Sequence, residues 1–273
     1  MEKYSKLMEV QKHDLNSDGT PRVPICLCLD VSGSMGEVIA GTYEETGKTV
    51  QRDGNTYSVV RGGISKLDEL QRGIERFYES IRGDDLASVA AEICVVTFDD
   101  DAQCLAEFSR IKFQAKAPQL QCGGGTAMGE GVNLALDKLE TRKQAYKDSG
   151  CDYYQPWLVL MSDGRPNGKP AELIRAMKRT SELAGNKKLT VIPVGIGDDA
   201  DLETLSKFSP RHDAVILDQA KFRTMFEWLG KSIEKVSQSN PGEIVSVDYN
   251  SINQWGKRYL CDSERSEPWP DQL

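Results

Sequence analysis

Three short segments of the sequence carry the side chains best suited to chemistry, and all three offer oxygen atoms. They are Asp-Val-Ser-Gly-Ser at 30–34, Gly-Gly-Thr at 124–126 and Ser-Asp-Gly at 162–164. Carboxylate and hydroxyl oxygens are hard ligands, which suit Mg²⁺, Ca²⁺ or Mn²⁺ rather than zinc or copper. Two carboxylates and neutral hydroxyls leave a divalent ion open to an acidic ligand from outside. We therefore predict a divalent cation site whose ligands are Asp30, Ser32, Ser34, Thr126 and Asp163.

The elements that must position these segments alternate between apolar strands and amphipathic helices. Continuous apolar runs predict buried strands at 23–30, 91–98, 157–161 and 189–194. Helical spacing of apolar residues predicts helices at 64–81, 127–146, 170–184 and 222–236. This alternation predicts an α/β fold, a three-layer doubly wound and mostly parallel sheet with helices on both faces, as in Rossmann-like proteins. The functional crevice of such a sheet lies at the carboxyl ends of its strands.

Composition excludes several classes of function. The 273 residues carry a formal net charge of −8, which argues against non-specific binding to nucleic acid or to anionic membranes. Only two histidines occur, so a histidine-based zinc site is excluded. We find no run of about 18 apolar residues that would span a membrane and no apolar signal core near residue 1. Seven cysteines without a Cys-x-x-Cys pair are typical of a reducing compartment, so we expect a cytoplasmic protein.

The three oxygen-bearing segments also resemble a known family. The stretches LCLDVSGSMG, GGGTAMGEGV and LVLMSDGRP occur in that order and resemble a von Willebrand factor A (VWA) domain with a metal-ion-dependent adhesion site (MIDAS). The resemblance covers about residues 22–237. The later stretch VIPVGIGDDADLETLSKFS resembles the bacterial TerY/YegL-like branch, which is found near tellurium-resistance genes.

The resemblance implies a role for each candidate ligand. Ser32 and Ser34 would bind the metal directly, and Thr126 would do so in the ligand-competent state. Asp30 and Asp163 would bind directly or through water. The sixth position would be filled by water or by an Asp or Glu of a protein partner. The family further implies a non-enzymatic, Mg²⁺-dependent (or Ca²⁺- or Mn²⁺-dependent) interaction module of a bacterial stress-response or signalling assembly, without nucleic acid.

The domain organisation departs from the family at one point. We predict an N-terminal arm at 1–21, the VWA-like domain at 22–237 and a C-terminal extension at 238–273. An insertion at 37–62 separates the first motif from the next helix, and Asp-Gly-Asn at 53–55 between β-branched runs indicates a hairpin. We expect a flap beside the metal that governs which partner reaches it, or else a tolerated surface loop. A carboxylate from Glu44 or Glu45 is a candidate to fill the partner's position.

One enzymatic interpretation remains open. Ser34, Asp163 and His212 follow the order nucleophile, acid, base of α/β-hydrolases. The segment around Ser34 lacks the leading glycine of the Gly-x-Ser-x-Gly elbow. A serine hydrolase is therefore the alternative to a binding module.

Overall fold

The computed structural model describes residues 15, 19–52, 55–114, 116–210, 213–217, 221–239 and 256–258. The strands are β1 (Val23–Asp30), β2 (Val38–Arg52), β3 (Asn55–Ser65), β4 (Ala91–Phe98), β5 (Ala102–Arg110), β6 (Trp157–Ser162), β7 (Thr190–Ile196), β8 (Val215–Leu217) and β9 (Gly256–Arg258). The helices are α1 (Lys66–Gly83), α2 (Asp85–Ala90), α3 (Met128–Ser149), α4 (Pro170–Gly185), α5 (Leu202–Ser206) and α6 (Phe222–Ser237). Short 3₁₀ turns occupy Gly33–Gly36 and Ile111–Phe113.

Seven strands form the central sheet in the order β5-β4-β1-β6-β7-β8-β9. The five strands from β4 to β8 in that order run parallel, and β5 and β9 pair antiparallel at the two edges. The predicted doubly wound, mostly parallel sheet is confirmed. Strand β9 brings three residues of the predicted C-terminal extension to the sheet, and the rest of that extension lies outside the described residues.

Both faces of the sheet are buried, as the continuous apolar strands predict. In β1, Ile25, Leu27 and Leu29 pack in a core with α1, α2 and α6. The alternate residues Cys26 and Cys28 pack in a second core with α3 and α4. These helices form the outer layers of a three-layer sandwich. None of the helices within the described part of the chain is long and apolar enough to cross a membrane.

The insertion forms a hairpin, but it extends further than the sequence predicted. Strands β2 and β3 pair antiparallel as a separate two-stranded sheet that runs from Val38 to Ser65. We predicted that the insertion ends at Gly62 and that the next helix begins at Ile64, and this was wrong, because β3 continues to Ser65. Gly62 and Gly63 adopt positive φ (86° and 77°) inside β3, where register shifts mark bulges. The predicted turn at Asp53-Gly54 lies outside the described residues.

Helix α1 begins at a capping box rather than at its first apolar residue. The Ser65 hydroxyl accepts a hydrogen bond from the backbone of Asp68, and the Asp68 carboxylate accepts one from the backbone of Ser65. This reciprocal pair satisfies two backbone donors that helix geometry leaves unpaired. The periodicity of apolar residues carried our prediction two residues too far toward the N-terminus, because Ile64 is apolar but extended. The short helix α2, capped by Asp84, was not predicted.

Candidate metal centre

The candidate ligands lie at the carboxyl ends of the two central strands. Asp30 is the last residue of β1, and Asp163 follows the last residue of β6. From β1 the sheet continues through β4 on one side and through β6 on the other. The crevice between β1 and β6 is thus a topological switch point, where ligands of open α/β sheets bind.

Asp30 is fully buried and is held by two hydrogen bonds. The backbone N–H of Ser32 donates to its Oδ1 at 2.8 Å, and the Ser162 hydroxyl donates to its Oδ2 at 2.5 Å. Burial and, to a lesser extent, the nearby Asp163 carboxylate raise the pKa of Asp30 to about 7, even though the hydrogen bonds from Ser162 and Ser32 lower it. Two adjacent buried carboxylates are an electrostatic cost that a bound cation would remove.

The serine hydroxyls and Asp163 form a connected group of oxygens. The Ser32 and Ser34 hydroxyl oxygens are 3.1 Å apart, and the Ser34 hydroxyl donates to Asp163 Oδ1 at 2.7 Å. Neighbouring ligands around an octahedral Mg²⁺, which is bound at about 2.1 Å, are roughly 3 Å apart. The spacing of these oxygens therefore suits adjacent positions around a small hard cation.

Thr126 is positioned by a loop that two polar side chains hold in place. The Asp100 carboxylate accepts a hydrogen bond from the backbone of Gly125 at 2.7 Å, and the Asn167 side-chain oxygen accepts one from the backbone of Thr126 at 2.6 Å. Gly124 has φ +53°, and a Cβ there would lie 2.6 Å from the Asp100 side chain. Thr126 is buried, and its hydroxyl has no hydrogen bond within the described part of the structure. That hydroxyl is available as a ligand.

We did not predict the roles of Asp100 and Asn167 in positioning Thr126. Asp100 was part of a run of three acids that resembles an ordinary surface turn, and Asn167 lies in a polar loop. No local pattern distinguishes either residue, because each acts on a segment 25 or 41 residues away.

A lysine at the site was also missed. The ammonium group of Lys66 is 3.1 Å from Asp163 Oδ2 and 2.6 Å from Glu37 Oε2. Burial lowers the pKa of Lys66, but the Glu37 and Asp163 carboxylates outweigh burial, and the pKa lies above its usual value. A lysine in the first turn of a helix opposes the helix dipole, but this local feature does not specify the distant carboxylate that pairs with it.

The donor set fits a small divalent cation. The available ligand atoms are carboxylate and hydroxyl oxygens, as Mg²⁺ and Mn²⁺ require. No group of three or more His, Cys, Asp or Glu side chains gathers among the described residues. Asp30, Ser32, Ser34 and Asp163 are brought together directly by hydrogen bonds, with Ser162 linking Asp30 to β6. Thr126 is placed on the adjoining loop, whose Gly123 and Gly124 backbones bond those of Val31 and Gly33.

Two further interpretations of the sequence concern a Glu44 or Glu45 carboxylate as an internal ligand and a serine hydrolase. Glu44 and Glu45 lie along β2, paired in register with Arg61 and Val60, and neither forms a hydrogen bond or ion pair with the site among the described residues, whereas Glu37 contacts Lys66. For the hydrolase, His212 lies outside the described residues. The Ser34 hydroxyl donates directly to Asp163, whereas a catalytic triad places the base between nucleophile and acid.

Comparison with known proteins identifies the fold. A von Willebrand factor type A protein from Catenulispora acidiphila aligns with a TM-score of 0.52 and 20% identity over 79% of this chain, and the chain spans only 43% of that protein. The vWF domain of the type V pili tip protein Mfa5 from Porphyromonas gingivalis aligns with a TM-score of 0.54 and 14% identity over 83% of this chain and 99% of that domain. The pilus adhesin SpaC from Lactobacillus rhamnosus GG aligns with a TM-score of 0.53 and 16% identity over 79% of this chain and 31% of the SpaC chain. No curated protein matches at a significant level.

These structural similarities are too low in identity to show more than the fold. The sequence itself is matched by the model of the von Willebrand factor type A domain over residues 25–228, which is most of the chain. The match begins within β1, extends beyond β8 into α6 and includes all the candidate ligands. The chain therefore belongs to the von Willebrand factor type A domain family.

Proposed function

We propose that this protein is a non-enzymatic interaction module that binds a partner's carboxylate through a divalent cation. The residues that would hold the cation are Asp30, Ser32, Ser34, Thr126 and Asp163. The cation would supply positive charge and an open coordination position to an Asp or Glu side chain of the partner. VWA domains are typically protein-interaction modules, and this supports the general class.

The observation that carries the proposal is the gathering of hydroxyl and carboxylate oxygens around two buried acids. The Asp163 carboxylate lies close enough to raise the pKa of Asp30, and both side chains are almost fully buried. Lys66 neutralises part of this negative charge at Asp163, and two buried carboxylates that are only partly neutralised contribute little to stability. A cation bound at this switch point of the sheet would complete the neutralisation.

Specificity would come from the surroundings of the site. The β2–β3 hairpin starts and ends beside the candidate metal centre. Glu37 and Lys66 flank the hairpin, and the Lys66 ammonium contacts both Glu37 and Asp163. Within the described residues the strands of the hairpin form a separate two-stranded sheet, and unpaired strand edges can pair with another chain. Tyr43 and Val50 on β2 are 53% and 42% exposed, so each offers apolar area that a partner would contact.

The experiment that tests the function is a capture of partners from host lysate with Mg²⁺ or with EDTA. The wild type and the Asp30→Ala variant should differ: a partner is retained only by the wild type and only with Mg²⁺. A partner that both proteins retain equally in EDTA would contradict the proposal. Ester hydrolysis that is lost in His212→Ala would instead support the hydrolase.

Replacement of residues 38–61 by a short Gly/Ser linker separates the two roles of the site. We expect Mg²⁺ affinity within a few-fold of wild type, since Asp30, Ser32, Ser34, Thr126 and Asp163 remain. Partner binding should change by at least tenfold, because the hairpin is removed. Calorimetry and the capture assay measure the two quantities separately. If both stay unchanged, the hairpin is only a tolerated surface insertion.

The cellular setting is proposed from sequence resemblance alone. The segment 191–209 resembles the TerY/YegL-like branch, which supports a cytoplasmic role in a tellurium-resistance-like or other stress-response assembly of a bacterium. The Mfa5 and SpaC similarities, at 14% and 16% identity, bear on the fold only.

A further inference from the structure

A buried lysine stands between the candidate metal centre and the base of the hairpin. Lys66 is 3% exposed, and its ammonium contacts Asp163, a candidate ligand, and Glu37, which is not one. The side chain of Glu37 is 60% exposed, whereas that of Asp163 is fully buried. The lysine is thus shared between a buried acid of the site and a solvent-facing acid beside it.

Burial of this lysine is energetically unfavourable unless carboxylates pair with its charge. Burial of an ammonium group is unfavourable without paired carboxylates. Lys66 is also the first residue of α1, where the helix dipole favours negative charge. Asp163 and Glu37 compensate for both effects. A lysine that neutralises Asp163 does part of what a divalent cation would do there.

We propose that Lys66 is an internal competitor of the divalent cation for Asp163, and that Glu37 is the alternative acceptor that draws the ammonium away. This inference rests on the proposed function, since it concerns affinity at the same centre. The two positive charges repel each other when both are near Asp163, so the site binds its cation more weakly than its oxygen ligands alone would allow. The flexible four-carbon stem of lysine lets the ammonium move toward Glu37.

The location of the pair links this competition to the hairpin. Glu37 precedes β2, Lys66 follows β3, and the backbone N–H of Lys66 donates to the Glu37 carbonyl at 3.0 Å. Any partner that shifts the base of the hairpin therefore changes the distance from Lys66 to Asp163. Binding to the hairpin and binding of the cation are coupled through one side chain, and such coupling is reciprocal.

The first test compares the wild type with Lys66→Met, which removes the charge and keeps an unbranched stem. We expect Mn²⁺ to bind Lys66→Met at least tenfold more tightly by calorimetry. In EDTA the same variant should melt at a lower temperature than the wild type, because Asp163 loses its counter-charge. Bound Mn²⁺ should remove this difference in melting temperature. Lys178→Met makes the same change of net charge at a 75% exposed side chain on α4 and should leave Mn²⁺ affinity within twofold.

A second variant keeps the test valid if Lys66→Met folds poorly without metal. Lys66→Arg retains the charge and presents a fork that pairs firmly with carboxylates. We expect its affinity for Mn²⁺ to be no higher than that of the wild type. A gain equal to that of Lys66→Met would overturn the proposal, because it would show that charge at this position is irrelevant.

The role of Glu37 is tested by a double-mutant cycle. Glu37→Gln alone should weaken Mn²⁺ binding at least threefold, since Lys66 is then held by Asp163. In the Lys66→Met background the same change should have little effect, because Glu37 acts through Lys66. An equal loss in both backgrounds would overturn this role.

The outcomes separate this inference from the proposed function. If the wild type binds Mn²⁺ and Lys66→Met binds it no more tightly, Lys66 is not a competitor, and the metal-dependent function stands. If neither protein binds Mn²⁺, both proposals fail. Binding by Lys66→Met alone supports the competitor most directly.

Discussion

In EDTA at pH 8, Asp30→Asn should raise the free energy of unfolding by on the order of 4 kcal/mol. The pKa of Asp30 is raised from 3.8 to about 7 by burial and by Asp163, and each pKa unit corresponds to about 1.4 kcal/mol. Asparagine carries no charge, and its side chain can accept from the Ser32 backbone and donate to the Ser162 hydroxyl. The variant therefore keeps the hydrogen bonds of Asp30 and removes the buried charge.

The pH dependence of this effect has a definite sign. Between pH 3.8 and about 7 the folded protein holds a proton on Asp30 that the unfolded chain releases, so the stability of the metal-free wild type falls as pH rises through this window. The advantage of Asp30→Asn should be below about 1 kcal/mol at pH 4 and complete above pH 7. Denaturant unfolding in EDTA from pH 4 to 8.5 measures the difference.

The control for this experiment is an acid in a solvent-exposed loop. Asp198→Asn makes the same change of charge and should shift stability by no more than about 0.5 kcal/mol. With saturating Mg²⁺ the wild type should regain stability through binding, whereas Asp30→Asn should not. A loss of stability in Asp30→Asn at pH 8 in EDTA would show that Asp30 is a structural residue rather than a site for a cation.

The sequence predicted the central strands well because their signal is local. Strands β1 and β6 are continuous apolar runs that end at an acid or just before one, and both faces of the sheet bury them. The carboxyl ends of parallel strands meet at one edge, so Asp30 and Asp163 could be placed together before any coordinates existed. The hairpin was predicted for the same reason, since its turn residues and alternating strands are local patterns.

The rest of the site depends on contacts between distant residues. The pairing of Lys66 with Asp163 joins positions 97 residues apart, and nothing near either residue specifies it. Its other contact, to Glu37, depends on where the hairpin ends, and we had placed that end three residues too early. We predicted that both ends of the insertion lie near the cation, but no pattern in the sequence pointed to Lys66 or Glu37 as the residues that contact each other there.

The largest effect on cation binding is expected from the double variant Asp30→Asn/Asp163→Asn. Both substitutions keep an oxygen atom and the size of the side chain, while they remove the two negative charges of the site. We expect the affinity for Mg²⁺ and for Mn²⁺ to fall at least 100-fold, about 2.7 kcal/mol. The cause is electrostatic, because neutral oxygens alone bind a hard divalent cation weakly. Calorimetry at pH 8 measures the loss.

The matched control is Asp198→Asn/Asp199→Asn. It makes the same change of net charge in an exposed loop, and we expect the affinity for either metal to stay within about twofold, as screening by salt predicts. The double variant at the site should remain folded in EDTA, so a loss of binding cannot be attributed to unfolding. If it retained wild-type affinity, the cation would bind elsewhere on the chain, and the oxygens around Asp30 and Asp163 would have only a structural role.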